Sequence, residues 1–190
     1  AAVMQDRLFH NNGDGTFTEQ GAASGLSSLG FVKGAAWGDC DNDGFVDLYI
    51  SRAGAKNLLF HNEGRESPAP GGWSFQERAA SAGVEDPVNS FPAWFWDYDN
   101  DGWLDLFVAG FDGTGIDGVA SDYLGRPRLS GHPKLYRNRG DGTFDDVTSA
   151  ARLDRVLLVM GANFGDLDND GHPDLYLGTA APDYRTLMPN

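Results

Sequence analysis

A nine-residue string recurs three times in this chain with little change, and such repetition restricts the chain to a repeat architecture before any other property is weighed. The copies read DCDNDGFVD from Asp39, DYDNDGWLD from Asp97 and DLDNDGHPD from Asp166. A second string precedes each: TFTEQGAASGL from Thr16, SFQERAASAGV from Ser74 and TFDDVTSAARL from Thr143. Its Phe stands 22 residues ahead of the first Asp in all three units, from Phe17 to Asp39, Phe75 to Asp97 and Phe144 to Asp166. A third string, LFHN at Leu8 and Leu59 and LYRN at Leu135, completes the unit. Variation is confined to GRESPAPGG in the second unit and to residues 110–133 ahead of LYRN, both of loop composition.

The periodicity between these strings is that of strands. Ala35, Ala93 and Ala162 stand four residues ahead of the first Asp, with Trp37, Phe95 and Phe164 two ahead, so one face alternates small and aromatic with period two. After each loop comes a short apolar run of strand length, Leu48-Tyr49-Ile50, Leu106-Phe107-Val108 or Leu175-Tyr176-Leu177. The Asp-Gly turns after Gly13 and Gly140 are hairpin signals, and no helical period runs far enough to need a long helix. Four short antiparallel strands per unit predict an all-β fold, a β-propeller of four-stranded blades. A sandwich does not need repeated sequence, and a β-solenoid would repeat over a much shorter span.

The expected organisation is a single partial propeller over residues 1–190, about three blades in all. Half-blades fall at 1–33 and 152–190, and full blades at about 34–91 and 92–151. Because cut blades leave strand edges unpaired, the expectation is either a segment of a longer closed propeller or self-assembly in which another chain supplies the missing strands.

Each nonapeptide places carboxylates at positions 1, 3, 5 and 9, Asn at 4 and Gly at 6. Four like charges so close repel one another unless a cation sits among them. Oxygen-only ligands predict a hard cation, and a flexible loop adding one backbone carbonyl suits Ca²⁺ better than octahedral Mg²⁺. Three Ca²⁺ sites are therefore predicted. Their ligands are Asp39, Asp41, Asp43, the Phe45 carbonyl and Asp47; Asp97, Asp99, Asp101, the Trp103 carbonyl and Asp105; and Asp166, Asp168, Asp170, the His172 carbonyl and Asp174. An EF-hand would need Glu at position 12 and flanking helices, but Ile50, Val108 and Leu177 stand there, inside predicted strands.

Composition excludes other classes. With 28 acidic against 14 basic side chains and a net charge of -14, the chain lacks the basic footprint of a nucleic-acid binder. No apolar run reaches the roughly 18 residues of a membrane span. Glycine, 26 of 190 residues, is about twice its usual share of roughly 7%. The chain starts at Ala1 without the pattern of a signal peptide, so upstream processing or truncation is the expectation. The lone Cys40 forms no intrachain disulfide and is read as a small side chain. No nucleophile elbow, phosphate loop or HExxH string is present, and the chain is not expected to be an enzyme. His10 and His61 share one strand position across repeats and are read as structural.

The strings LFHNNGDGTF, GAAWGDCDNDGFVDLYIS and KLYRNRGDGTFDDV resemble FG-GAP (VCBS) repeats, the calcium-bearing blades also found in integrin α-chain propellers. Their order and wording are most similar to bacterial secreted proteins of the ASPIC/UnbV type. The resemblance implies a seven-bladed propeller, an extracytoplasmic location (secreted, periplasmic or cell surface) and a role in adhesion or recognition. The partner would be a protein or glycan at a cell surface. Unit-specific insertions often carry the binding surface of a repeat protein, so Asp112, Asp117, Asp122, Tyr123, Arg126 and Arg128 are candidate contacts. Trp94 and Trp96, which do not recur between units, are further candidates, weighed against burial on a neighbouring blade. Two alternatives stay open beside the calcium-bound interaction module: a carbohydrate-binding or accessory propeller of a secreted enzyme, and a self-assembling surface subunit.

Overall fold

The computed structural model describes residues 6–26, 30–64, 73–111, 124, 132–157 and 159–179. The first strings of the chain form a hairpin, β1 (Phe9–Asn11) and β2 (Phe17–Glu19), whose Asp-Gly turn is closed by side chains. Asp14 Oδ1 accepts from the Thr16 N–H at 2.9 Å and from its hydroxyl at 2.6 Å. These bonds to the charged form hold the Asp14 carboxyl below its ordinary value.

Two complete blades follow. The first contains β3 (Phe31–Gly38), β4 (Asp47–Ala53), β5 (Leu58–Asn62) and β6 (Phe75–Glu77), paired antiparallel in chain order. It begins at Phe31, ahead of the expected start near Gly34. The second contains β7 (Ser90–Trp96), β8 (Asp105–Gly110), β9 (Lys134–Asn138) and β10 (Phe144–Asp146), paired the same way. The hairpin β11 (Val159–Gly165) and β12 (Asp174–Thr179) repeats the first half of a blade. The fold is thus all-β and made of propeller blades. The first strand of each unit carries a register shift near its start, between Val32 and Gly34, Ser90 and Ala93, and Val159 and Gly161. The AASAG segment of the second unit closes into one helical turn, α1 (Ala79–Ala82), which ends at Gly83 with φ 80°.

Blades stack face to face, with β7 against β3 and β4 and with β11 against β7 and β8. Alternation along each strand therefore supplies two cores. Ala36, Tyr49 and Leu59 of the first blade meet Phe95, Leu106, Val108 and Tyr136 of the second, with Ala79, Ala82 and Val84 filling the space below. The opposite face of the second blade offers Trp96, Phe107, Ala109 and Leu135 to Val159, Ala162, Leu175 and Leu177. Two tyrosines tie the first core to the segment ahead of β7: the Tyr49 hydroxyl donates to the Val84 carbonyl at 2.8 Å, and that of Tyr136 to the Asp86 carbonyl at 2.9 Å.

Trp37, Phe95 and Phe164 occupy the same position in their units, yet their environments differ. Phe95 is buried, whereas Trp37 is 47% and Phe164 40% exposed. Trp37 lines an apolar groove with Leu8, Leu26, Val32, Ile50 and Phe60, where the β1–β2 hairpin covers only part of the first blade.

Gly38 sets how closely the two full blades approach. A Cβ at this position would lie 2.6 to 2.8 Å from Phe95 Cδ2, Cγ and Cβ, distances that real contacts do not reach. Overpacking of a core typically costs about 1–3 kcal/mol. Gly38→Val is expected to lower stability by about that much in urea unfolding followed by circular dichroism, with Phe95→Ala restoring part of it. A neutral Gly38→Val would show that the blades do not meet here.

Candidate metal centre

The three acidic loops connect the first and second strands of their units: Asp39–Asp47 joins β3 to β4, Asp97–Asp105 joins β7 to β8, and Asp166–Asp174 joins β11 to β12. One backbone geometry is built three times. The position 1 carboxylate accepts two N–H groups, from positions 5 and 6: Asp39 from Asp43 (3.1 Å) and Gly44 (2.9 Å), Asp97 from Asp101 (3.0 Å) and Gly102 (2.9 Å), and Asp166 from Asp170 (3.1 Å) and Gly171 (2.9 Å). The position 5 carboxylate accepts the N–H of position 7, from Phe45, Trp103 and His172 at 2.8, 3.0 and 2.8 Å. The turn needs left-handed backbone at position 4, where Asn42, Asn100 and Asn169 have φ 59–60°. Asn tolerates that conformation better than other side chains.

Position 9 anchors the loop to its sheet. Asp47 is fully buried; its Oδ1 accepts the Asn62 N–H at 2.9 Å, and its Oδ2 accepts from Cys40 N (3.1 Å) and Sγ (2.9 Å). Asp105 repeats this with the N–H groups of Asn138 (2.8 Å) and Tyr98 (3.2 Å), and Asp174 Oδ2 accepts from Leu167 at 2.9 Å. Burial pushes the Asp105 carboxyl up to about 6 despite those two N–H bonds, with the charges of Asp99 and Asp101 adding to it. Asp41 is raised for the same reasons, burial first and the Asp47 charge second. Cys40, also buried, has its thiol pushed up, which keeps it unreactive.

Carboxylate oxygens converge as the spacing predicts, though not identically. Asp39, Asp41 and Asp47 offer ligand atoms within 4.8 Å of one another, as do Asp97, Asp99 and Asp101, and Asp166, Asp168 and Asp174. Asp43 joins Asp41 and His61 in a fourth set at the first loop, while Asp105 and Asp170 stand outside these triplets. The donor set is oxygen-rich, and position 3 has an unmet need: Asp41 Oδ1 and Asp99 Oδ1 are buried without a hydrogen-bond partner. An ionised oxygen left so is costly, and a cation between the carboxylates would satisfy it. The loops therefore fit a hard cation, with the carbonyls of Phe45, Trp103 and His172 as further donors.

Two features of the site escaped the sequence. His61 is not merely a repeated strand residue, since its Nδ1 lies 3.2 Å from Asp41 Oδ2 and 3.1 Å from Asp47 Oδ1. His10, its counterpart, instead meets the Trp73 ring edge-on at 4.6 Å between centroids. The loops are also joined to one another. Asn42 Nδ2 donates to the Gly102 carbonyl (3.3 Å), Asn100 Nδ2 to that of Gly171 (2.9 Å), and Asn138 Nδ2 returns to the Cys40 carbonyl (2.6 Å). The left-handed Asn at position 4 was a visible signal for a turn, but not for what its amide reaches.

Of the tryptophan candidates for partner contact, Trp96 is corrected by burial and Trp94 is half-buried against β11. Trp96 is 5% exposed, and Trp94 stacks on Phe107 at 4.6 Å, with both rings facing Phe164 of β11 at 6.0 and 5.2 Å. An aromatic side chain opposite the small-residue face of its strand fills the next interface rather than solvent. Asp112, Asp117, Asp122, Tyr123, Arg126 and Arg128 lie outside the described residues.

Stacked four-stranded antiparallel blades, each opening into an acidic loop, define a repeat protein of the propeller class. The family model described as FG-GAP-like repeat matches residues 4–50 and 97–177, more than half of the chain, and the chain belongs to that family. Cartilage acidic protein 1 of Mus musculus is 27% identical to it over 172 residues, covering 90% of this chain and 24% of that protein. The Homo sapiens protein of the same name is 26% identical over the same span. The chain thus spans about a quarter of the length of the curated relatives it matches. Among the described residues, no helix is long and apolar enough to cross a membrane.

Proposed function

We propose that the chain is a Ca²⁺-stabilised β-propeller module that works by binding another protein outside the cytoplasm, and that it is a binding module rather than a catalyst. The observation that carries the ion is the loop geometry built three times, with a buried position 3 oxygen left without a partner in two of the loops, at Asp41 and Asp99. When bound, Ca²⁺ supplies positive charge and multidentate coordination, and no chemistry beyond them. The chain's own residues do the rest: Asp39, Asp97 and Asp166 shape the turn, and Asp47, Asp105 and Asp174 fix it to the sheet. The extracytoplasmic setting is supported by membership of the FG-GAP-like repeat family, by the resemblance to secreted ASPIC/UnbV-type proteins and by relatives named for cartilage. A glycan-binding reading loses its aromatic platform, because Trp96 is buried and Trp94 is half-buried with its ring stacked on Phe107.

Calorimetric titration of the metal-free chain with Ca²⁺ tests the ion. Saturable binding is expected in the range of roughly 10⁻⁴ to 10⁻³ M that extracellular modules show, with one site lost in each of Asp41→Ser, Asp99→Ser and Asp168→Ser. Heats unchanged in all three variants would show that the loops are not where Ca²⁺ binds.

A further inference from the structure

β5 and β9 are the third strands of the two full blades, and both end in an Asn whose N–H is held by the position 9 Asp of the same blade: Asn62 by Asp47 and Asn138 by Asp105. The residue just before that Asn lies over the acidic loop, and it is His61 in one blade and Arg137 in the other. Arg137 Nε is 2.8 Å from Asp99 Oδ2, and its Nη2 donates to Asp101 Oδ2 at 3.1 Å. His61 Nδ1 approaches Asp41 and Asp47 in the corresponding place, and together with Asp41 and Asp43 it offers a set of ligand atoms within 4.8 Å.

These side chains do opposite things to a cation. A neutral imidazole presents a nitrogen lone pair, which suits borderline divalent metals such as zinc better than it suits Ca²⁺. A guanidinium has only donors, stays charged at every relevant pH and cannot ligate a metal. We propose that this one strand position sets the ion chemistry of its loop. His61 adds a nitrogen ligand that lets the first loop take a divalent transition ion, while Arg137 gives the second loop a built-in positive charge that weakens divalent binding there.

The inference rests on reading the loops as cation sites, and it goes further in making the loops unequal. The second loop has four carboxylates, two of which, Asp99 and Asp101, already engage Arg137. An incoming ion must compete for those oxygens and meets the charge of the guanidinium. Removing one unit charge at coordination-shell separations changes the affinity for a divalent ion by roughly tenfold even at high dielectric. Among the described residues, no Lys or Arg forms an ion pair with the carboxylates of the first loop.

The experiment uses the whole chain, freed of metal and titrated with Zn²⁺, Ca²⁺ and Tb³⁺. Trp103 lies in the second loop, so Tb³⁺ luminescence sensitised through it reports that loop, and Trp103→Phe identifies its share of the signal. Arg137→His is expected to tighten Tb³⁺ at the second loop by roughly thirtyfold, since the ion carries three charges rather than two, and to create a second calorimetric Zn²⁺ site. His61→Gln is expected to abolish the tightest Zn²⁺ site while leaving Ca²⁺ binding within about twofold, since calcium does not depend on nitrogen. Circular dichroism identical to the parent shows that each variant is folded. Calcium binding in the parent with Zn²⁺ unchanged in His61→Gln and Tb³⁺ unchanged in Arg137→His would overturn this inference and leave the calcium reading standing. No binding of any ion to the parent would overturn both.

Discussion

Chelation with excess EDTA is expected to lower the melting temperature of the Ca²⁺-saturated chain by about 5–10 °C for each loop it empties, and Ca²⁺ at about 100 times its dissociation constant to restore it more fully than Mg²⁺. A site held at about 100 times its dissociation constant contributes roughly 2.7 kcal/mol, and a chain of this size shifts by about 2–4 °C per kcal/mol. The cause is local. Without a cation, Asp41 and Asp99 each keep a buried oxygen with no partner, and burial makes the charged form of Asp105 unfavourable. Each loop joins the first two strands of its unit, so repulsion among its carboxylates loosens the hairpin on which the rest of the blade is paired. A melting temperature indifferent to EDTA and to both ions would remove the metal from the structural account.

The second large effect lies in the interface between the second blade and the third unit. Phe107→Ala is expected to destabilise the chain by about 3–5 kcal/mol, the usual cost of deleting a buried phenyl ring, or about 6–20 °C. Phe107 is fully buried; it pairs across strands with Trp94, whose ring lies 4.6 Å away, and clusters with Trp96, Leu135 and Val159. Those neighbours come from two blades and cannot collapse into the cavity without moving one sheet against the other. Differential scanning calorimetry with Ca²⁺ present checks it. A loss under about 1 kcal/mol would mean that β11 and β12 do not pack over Phe107 as described.

Much of the fold was legible because each unit repeats its own local rules. Asp loops joining paired strands, the Asp-Gly turns and the aromatic two residues ahead of each loop are all short-range patterns, and the structure repeats the acidic loop and its strand pair in all three units. What lies between units was less legible, because a repeat identifies a position within the blade but not what stands opposite it. Trp37, Phe95 and Phe164 share one position yet differ in exposure, since a full blade covers Phe95 while a hairpin leaves Trp37 at a groove. Trp94 and Trp96 invited a functional reading because they break the repeat. They are large because the face they fill is an interface with β11.

The candidate site divides along the same line. Carboxylate spacing predicted the convergence of each loop, which depends on nine consecutive residues. It did not predict His61 beside Asp41 and Asp47, because that contact depends on the register of β5 against β4, where Leu48 faces Phe60. It also gave no sign that Arg137 would reach Asp99 and Asp101 from β9.

The amide bonds between loops bear on how such a chain can lengthen. Donor and acceptor, the Asn at position 4 and the Gly carbonyl at position 6, belong to the same nonapeptide, so a copied blade arrives carrying both halves of its junctions. Inserting or removing a unit by gene duplication or loss therefore needs no matched second change in these loop-to-loop bonds. Because the acceptor is main chain, substitution can erase only the donor, and a row of blades assembled this way tolerates mutational drift at half of each joint.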